Sequence, residues 1–236
     1  MPNNRKQIST NKEPEVYKAV RAVGTMRPKF DPKDGKLFSE ELNVVGTAFW
    51  LKKHKALITC AHVVEGLFST PIVLSGLLVV GNAGNYKRAV IEIIDGQHDL
   101  AILKLLDDKG QLLQGDDLEK EASTGLEITT SYPKVSVGVA YCGFPLGNQL
   151  LDKVHSPTYV EGVVGLSKRD DIRRKNIQIS GPVVGGLSGA PIVLKDSPSI
   201  LIGILSNSPS QVAGIANIFM GISWEHVKAL AELANS

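Results

Sequence analysis

Cysteine is scarce in this chain, with Cys60 and Cys142 the only two among 236 residues. They can form at most one disulfide, which excludes a disulfide-stapled secreted scaffold; two free thiols packed as small apolar groups in strands are expected. Long apolar runs are also missing. None reaches the roughly 18 residues a membrane-spanning helix needs. The opening Met1-Pro2-Asn3-Asn4-Arg5-Lys6-Gln7 is polar, and no apolar stretch of a secretory leader follows it. A cytoplasmic location without a membrane partner is the expectation. Charge of one sign is absent as well: 26 basic residues face 24 acidic ones, a net charge of +2. That is too little to suggest a polyanion, so nucleic acid is not an expected partner. His54, His155 and His226 lie at no ligand spacing from cysteines or acids, so neither a metal nor a cofactor is expected.

What is abundant points to short strands. The chain carries 23 glycines and 12 prolines in an otherwise ordinary globular composition, 43% hydrophobic and 21% charged. Residues 1–15 read as a polar tail. Ala19 to Thr25 fits a strand or a short helix, and Phe30 to Glu41, rich in charge, Gly and Pro, reads as a loop. Val44 to Leu51, a turn at Lys52 to Lys55, and Ala56 to Thr59 read as a hairpin that ends just before His62. Short β-branched runs at 72–74, 77–80, 89–94 and 100–105 continue the pattern. The acidic stretch Asp107 to Gly125 is the expected connection between two halves. Runs at 135–142, 160–166, 176–180, 191–194, 200–205 and 218–222 repeat the character of the first half. Trp224, Val227, Leu230, Ala231 and Ala234 then fall at helical spacing behind Ser223, a suitable N-cap. The expectation is two sets of about six strands and a closing helix, divided at 16–120 and 121–236.

Three stretches carry chemistry together. His62 lies in Ile58-Thr59-Cys60-Ala61-His62-Val63-Val64, Asp99 in His98-Asp99-Leu100-Ala101, and Ser188 in Gly185-Gly186-Leu187-Ser188-Gly189-Ala190-Pro191. A serine hydroxyl becomes a good nucleophile when an imidazole takes its proton. The imidazole in turn needs a carboxylate to fix its tautomer and stabilise its cation. Asp95 is the rival carboxylate but sits in a stretch with stronger turn character. His98, beside Asp99, points the other way if the segment is extended. A glycine at 186 frees a backbone N–H to turn toward a developing oxyanion. The order His, Asp, Ser is one of several in which this set occurs.

With Gly46-Thr47-Ala48-Phe49, Tyr141-Cys142-Gly143-Phe144-Pro145-Leu146-Gly147, Glu161 to Ser167 and Gly203-Ile204, these stretches resemble the trypsin-like serine peptidases, and more closely their Deg/HtrA-like branch. The resemblance runs from about residue 43 to 224. It implies an all-β fold of two six-stranded antiparallel β-barrels with a C-terminal α-helix and the site in the cleft between them. It also implies His62 as general base, Asp99 as its orienting carboxylate, Ser188 as nucleophile, and the N–H groups of Gly186 and Ser188 as the oxyanion hole. Pro182, Ser206, Asn207 and Ser208 would bind substrate, with Phe219 and Met220 near the pocket wall.

Departures shape the remaining expectations. Leu187 stands where the family usually has Asp or Asn, so activation through an ion pair to a new N-terminus is not expected. Ala190 replaces a usual Gly, and no PDZ domain follows Trp224 in this sequence. Pro182 stands where trypsin-type enzymes carry an acid, which disfavours a basic P1 side chain and favours a small or apolar one. The charged run Lys168 to Lys175 reads as a solvated loop. A serine endopeptidase acting on protein or peptide substrates is expected. The alternative is a latent or inactive barrel pair that serves as a binding module under a regulatory protein partner.

Overall fold

The computed structural model describes residues 13–31, 33–35, 37–68, 77–82, 85–145, 156–171, 174–206 and 218–235. The expected strand at 72–74 falls outside them, as do His155, Asn207 and Ser208.

Six strands close the first barrel: β1 (Val20–Phe30), β2 (Leu37–Leu51), β3 (Ala56–Thr59), β4 (Leu77–Asn82), β5 (Asn85–Asp95) and β6 (Leu100–Leu105). Their order is β1-β2-β3-β6-β5-β4, and β4 pairs back onto β1. Closure removes the unpaired edges that an open sheet leaves. β3 is buried throughout and β6 at five of six positions, as their unbroken apolar sequences require; β5 mixes exposed and sheltered positions along its polar-apolar sequence. The expected loop at 30–41 is narrower than its composition suggests. The β1–β2 ladder runs out to Arg27↔Glu41, Pro28↔Glu40 and Lys29↔Ser39 before its register breaks. Backbone groups make that ladder, so charge and proline in the side-chain pattern concealed it.

The second half supplies β7 (Glu127–Ile128), β8 (Gly138–Gly143), β9 (Thr158–Asp171), β10 (Arg174–Ser180), β11 (Pro191–Leu194), β12 (Ser197–Leu205) and β13 (Ile218–Ser223). The sheet order is β11-β8-β9-β10-β13-β12-β7, and a β11–β12 pairing joins the ends of its first six strands into a second ring. β7 adds to β12 in parallel. The charged run at 168–175 is a hairpin tip, not a loop: Asp170 pairs with Lys175 and Asp171 with Arg174. Ile172 and Arg173 lie outside the described residues.

Among the described residues four helices accompany the strands: α1 (Glu15–Ala19), α2 (Ala61–Phe68), α3 (Gly115–Ala122) and α4 (Trp224–Leu233). The ambiguous start of the chain is thus both helix and strand. α1 buries Val16 and Ala19 before β1 begins. α3 lies within the acidic connection and delivers Leu126, which exchanges backbone hydrogen bonds with Trp50 and Lys52. α4 begins at Ser223, whose side chain accepts the Glu225 N–H, and buries Val227, Leu230 and Ala231. Among the described residues no helix is long and apolar enough to cross a membrane.

The larger core cluster runs from first-barrel residues such as Phe49, Leu57 and Ile102 across to Ala140, Val193, Leu201 and Val227. A second cluster, with Tyr141, Ile179, Leu187, Ile192 and Phe219, fills the other barrel. Both cysteines are free and fully buried. Burial pushes both thiols above the ordinary range, and at Cys60 the charge of Asp99 adds to it. A thiol-specific chromogenic reagent should therefore find no reactive thiol in the native protein and two per chain in denaturant without reductant. Fewer than two in denaturant would reveal an oxidised pair.

Candidate functional site

Two consecutive turns between β10 and β11 shape the segment carrying Ser188. The Leu187 N–H donates to the Val184 carbonyl at 3.4 Å, and the Ala190 N–H donates to the Leu187 carbonyl at 2.9 Å. The third residue of each turn is a glycine in the left-handed region, Gly186 at φ 88° and Gly189 at φ 86°. Turns of this kind need positive φ at that position, which accounts for the Gly-Leu-Ser-Gly spacing. Gly189 is also fixed by space, since a Cβ there would meet the Thr47 carbonyl oxygen at 1.9 Å. Among the described residues, neither the Gly186 nor the Ser188 N–H donates a hydrogen bond. Leu187 is 1% exposed and packs into the second-barrel core. The position that lacks an acid is therefore anchored by apolar burial.

His62 sits in the first turn of α2, directly behind β3. Its Nδ1 lies 2.8 Å from Asp99 Oδ2 and 2.9 Å from Oδ1, and its backbone N–H donates to Oδ1 at 3.0 Å. Ser206, the residue after β12, donates its hydroxyl proton to Asp99 Oδ2. Burial by itself would push the Asp99 carboxyl up. Hydrogen bonds from the His62 ring, the Ser206 hydroxyl and the His62 N–H outweigh it and hold the carboxyl below its ordinary value. The carboxylate is the more sheltered partner, 15% exposed against 30% for the imidazole. A carboxylate on Nδ1 places the ring proton there and leaves Nε2 as the basic nitrogen.

Asp99 adopts φ 56°, a conformation few non-glycine residues take and Asp tolerates. The turn before it is organised by Asp95. One Asp95 oxygen accepts the Gln97 and His98 N–H groups, and the other lies 2.6 Å from His98 Nδ1. The rival carboxylate thus builds the turn that presents Asp99. The His98 ring meets Asp95 and stacks on His226 of α4, with ring centroids 4.1 Å apart.

Ser188 is held beside this pair through β2. The Thr47 N–H donates to the Ser188 carbonyl at 2.9 Å. A Cβ on Gly46 would sit 2.7 Å from Val63, next to His62, and 3.1 Å from the Ser188 carbonyl oxygen. Glycine at 46 lets α2 and the serine turn approach from opposite sides. Among the described residues no hydrogen bond joins Ser188 to His62; such bonds commonly tighten only with substrate in place.

Of the residues predicted to bind substrate, Ser206 turns its hydroxyl to Asp99. Pro182 is exposed at the surface, and its carbonyl accepts the Tyr141 hydroxyl. Phe219 is buried against Tyr141 in an edge-to-face contact at 5.3 Å. Cys60 Sγ, a His62 ring nitrogen and an Asp99 oxygen lie within 4.8 Å of one another, a spacing that could hold a metal ion. The thiol, however, is buried and donates to the Leu205 carbonyl at 3.4 Å, and the carboxylate is engaged by His62 and Ser206. Thr47 was missed as a site residue. Its signal was a polar side chain inside the apolar run Val44 to Leu51.

The family model of the trypsin-like peptidase domain matches residues 46–204, about two thirds of the chain. The chain belongs to the trypsin-like peptidase family. Two solved structures of the M. tuberculosis protease Rv3671c share its fold. The active form has 17% identity and a TM-score of 0.59, with 91% of this chain and 79% of that chain covered. An inactive-form serine-to-alanine mutant has 18% identity and a TM-score of 0.61, with 94% and 89% covered. No curated protein sequence matches the peptidase domain.

Asp99 has a depressed pKa, so its charge stabilises the fold above the unfolded carboxylate value of about 3.9. That contribution disappears as pH falls through the lower folded value. Asp99→Asn, which also tolerates the left-handed backbone, should unfold at lower denaturant concentration than wild type at pH 7. The gap should narrow as pH falls below the unfolded value of about 3.9 and through the lower folded one. A gap independent of pH would sink this account of Asp99.

Proposed function

We propose that this peptidase domain is a serine endopeptidase working through an acyl-enzyme, with His62, Asp99 and Ser188 as its triad. One observation carries the proposal: a sheltered carboxylate orients the His62 ring close to the turn that holds Ser188, where the Gly186 and Ser188 N–H groups donate to no partner among the described residues.

The steps follow from that arrangement. Ser188 Oγ attacks the scissile carbonyl carbon while its proton passes to His62 Nε2. Asp99 stabilises the resulting imidazolium. The carbonyl oxygen becomes an oxyanion and takes hydrogen bonds from the Gly186 and Ser188 N–H groups, the first typically worth a factor of about 10²–10³ in kcat where such a donor has been removed. The C–N bond breaks as His62 returns the proton to the leaving amine. Water then attacks the ester carbon, giving one proton to His62; the acyl C–Oγ bond breaks as His62 returns that proton to Ser188 Oγ, and the carboxylic acid is released. The reaction as written needs no cofactor.

Specificity for a small or apolar P1 residue rests on Pro182, which brings no carboxylate to the position where a basic side chain would need one. The motifs around His62 and Ser188 favour the Deg/HtrA-like branch. A latent form controlled by a protein partner is the second reading, resting on Leu187 where the family usually has an acid or amide.

Labelling with a fluorophosphonate probe tests the assignment. Wild type should label, and Ser188→Ala and His62→Ala should not. Labelling that persists in Ser188→Ala would overturn the site, and an unlabelled wild type would favour the latent form. A peptide library should show cleavage after small or apolar residues; dominant cleavage after Lys or Arg would rule out the specificity assignment.

A further inference from the structure

Thr47 has no exposed surface and spends all of its polar groups at the seam between β2, β8 and the serine turn. Its N–H donates to the Ser188 carbonyl at 2.9 Å, and its hydroxyl donates to the Gly186 carbonyl at 3.0 Å. The hydroxyl oxygen accepts the Phe144 N–H at 3.2 Å, and the Thr47 carbonyl accepts the Thr59 hydroxyl at 2.7 Å. Glycines make the approach possible on both sides. A Cβ on Gly143 would sit 2.5 Å from Thr47 Oγ1, and one on Gly189 would sit 1.9 Å from the Thr47 oxygen.

We propose that Thr47 is a positioning residue for the oxyanion hole, its hydroxyl clamping the Gly186 carbonyl and its N–H the Ser188 carbonyl, so that the two backbone positions bearing the Gly186 and Ser188 N–H groups are held in place. This rests on the peptidase function proposed above. Gly186 has no Cβ, so the peptide after it can rotate at little steric cost. Leu187 anchors the turn by burial, which is non-directional and does not fix a peptide plane. A hydrogen bond to the Gly186 carbonyl does fix it. The Phe144 N–H occupies one acceptor side of the Thr47 oxygen, which leaves the hydroxyl proton for Gly186. Where relatives place an acid or amide before the nucleophile, this chain supplies direction from the opposite barrel.

Thr47→Val keeps the shape and removes the hydroxyl; Thr47→Ser keeps the hydroxyl. In the full chain, with rates normalised to the folded fraction by circular dichroism, Thr47→Val should lose about 10–100-fold in kcat, up to the cost of one oxyanion donor, with KM little changed. Thr47→Ser should stay within about three-fold of wild type. A peptide aldehyde places its hemiacetal oxygen in the oxyanion hole, so its Ki should rise with the loss in kcat/KM while binding of the matching peptide amide stays constant. If Thr47→Val does not fold, Thr47→Ala serves, because the space it opens admits water to the freed groups. A lower Tm with unchanged kcat and aldehyde affinity would overturn the proposal. So would an equal loss in Thr47→Ser. A wild type that neither hydrolyses peptides nor labels would instead remove the peptidase function on which the proposal stands.

Discussion

The close approach of Thr47 to Gly143 and Gly189 sets how the two barrels meet. At Gly189 the separation leaves room for a hydrogen atom and not for a methyl group. This contact brings the β2 strand, whose hairpin partner β3 leads into His62, against the turn that carries Ser188. It explains why small residues cluster in the motif stretches. Gly46 passes between Val63 and Ser188, Gly143 passes Thr47, and Gly189 bears positive φ besides. Each position answers a different steric demand, so alanine would fail at each for a different reason.

The electrostatics of the site are as constrained as its packing. A largely buried carboxylate must have its oxygens satisfied or lose its charge. Asp99 achieves this with the His62 ring and N–H on one side and Ser206 from the second barrel on the other. The carboxylate therefore ties the barrels together, as Thr47 does. Its left-handed backbone is held by the Asp95 turn, which the His98–His226 stack anchors to α4. Cys60 belongs to the same environment. Desolvation and the neighbouring Asp99 charge keep its thiol protonated, so it adds no second negative charge beside the one the imidazole needs.

Most strand positions were legible because burial leaves its mark on composition. The runs at 56–59, 100–105 and 191–194 are apolar because they are sheltered on both faces. Three features were not legible, for separate reasons. The β1–β2 extension and the β9–β10 tip are laddered by backbone groups beneath charged sequence, so side-chain character misled. α2 and α3 are eight residues each, too short for helical periodicity to stand out. Ser206 was assigned to substrate by its neighbourhood. Its hydroxyl's partner lies 107 residues away, and only the closed fold brings the two together. His62, Asp99 and Ser188 could be singled out in the sequence because each stands in a local motif; Thr47 could not, because its contacts come from three distant segments.

The exchange of an acid for Leu187 changes what can regulate the serine turn. An ion pair forms or breaks when a charge is created, removed or moved, as by cleavage or protonation. A leucine 1% exposed in a core offers no such handle, since extracting it would return an apolar side chain to water at a cost of about 1.5–3 kcal/mol. The hydrogen bonds from Thr47 to the Ser188 and Gly186 carbonyls, by contrast, are directional. These respond to displacement between the barrels and not to charge. Sensitivity to pH stays with the Asp99 carboxyl, which its hydrogen-bond donors hold below the ordinary value.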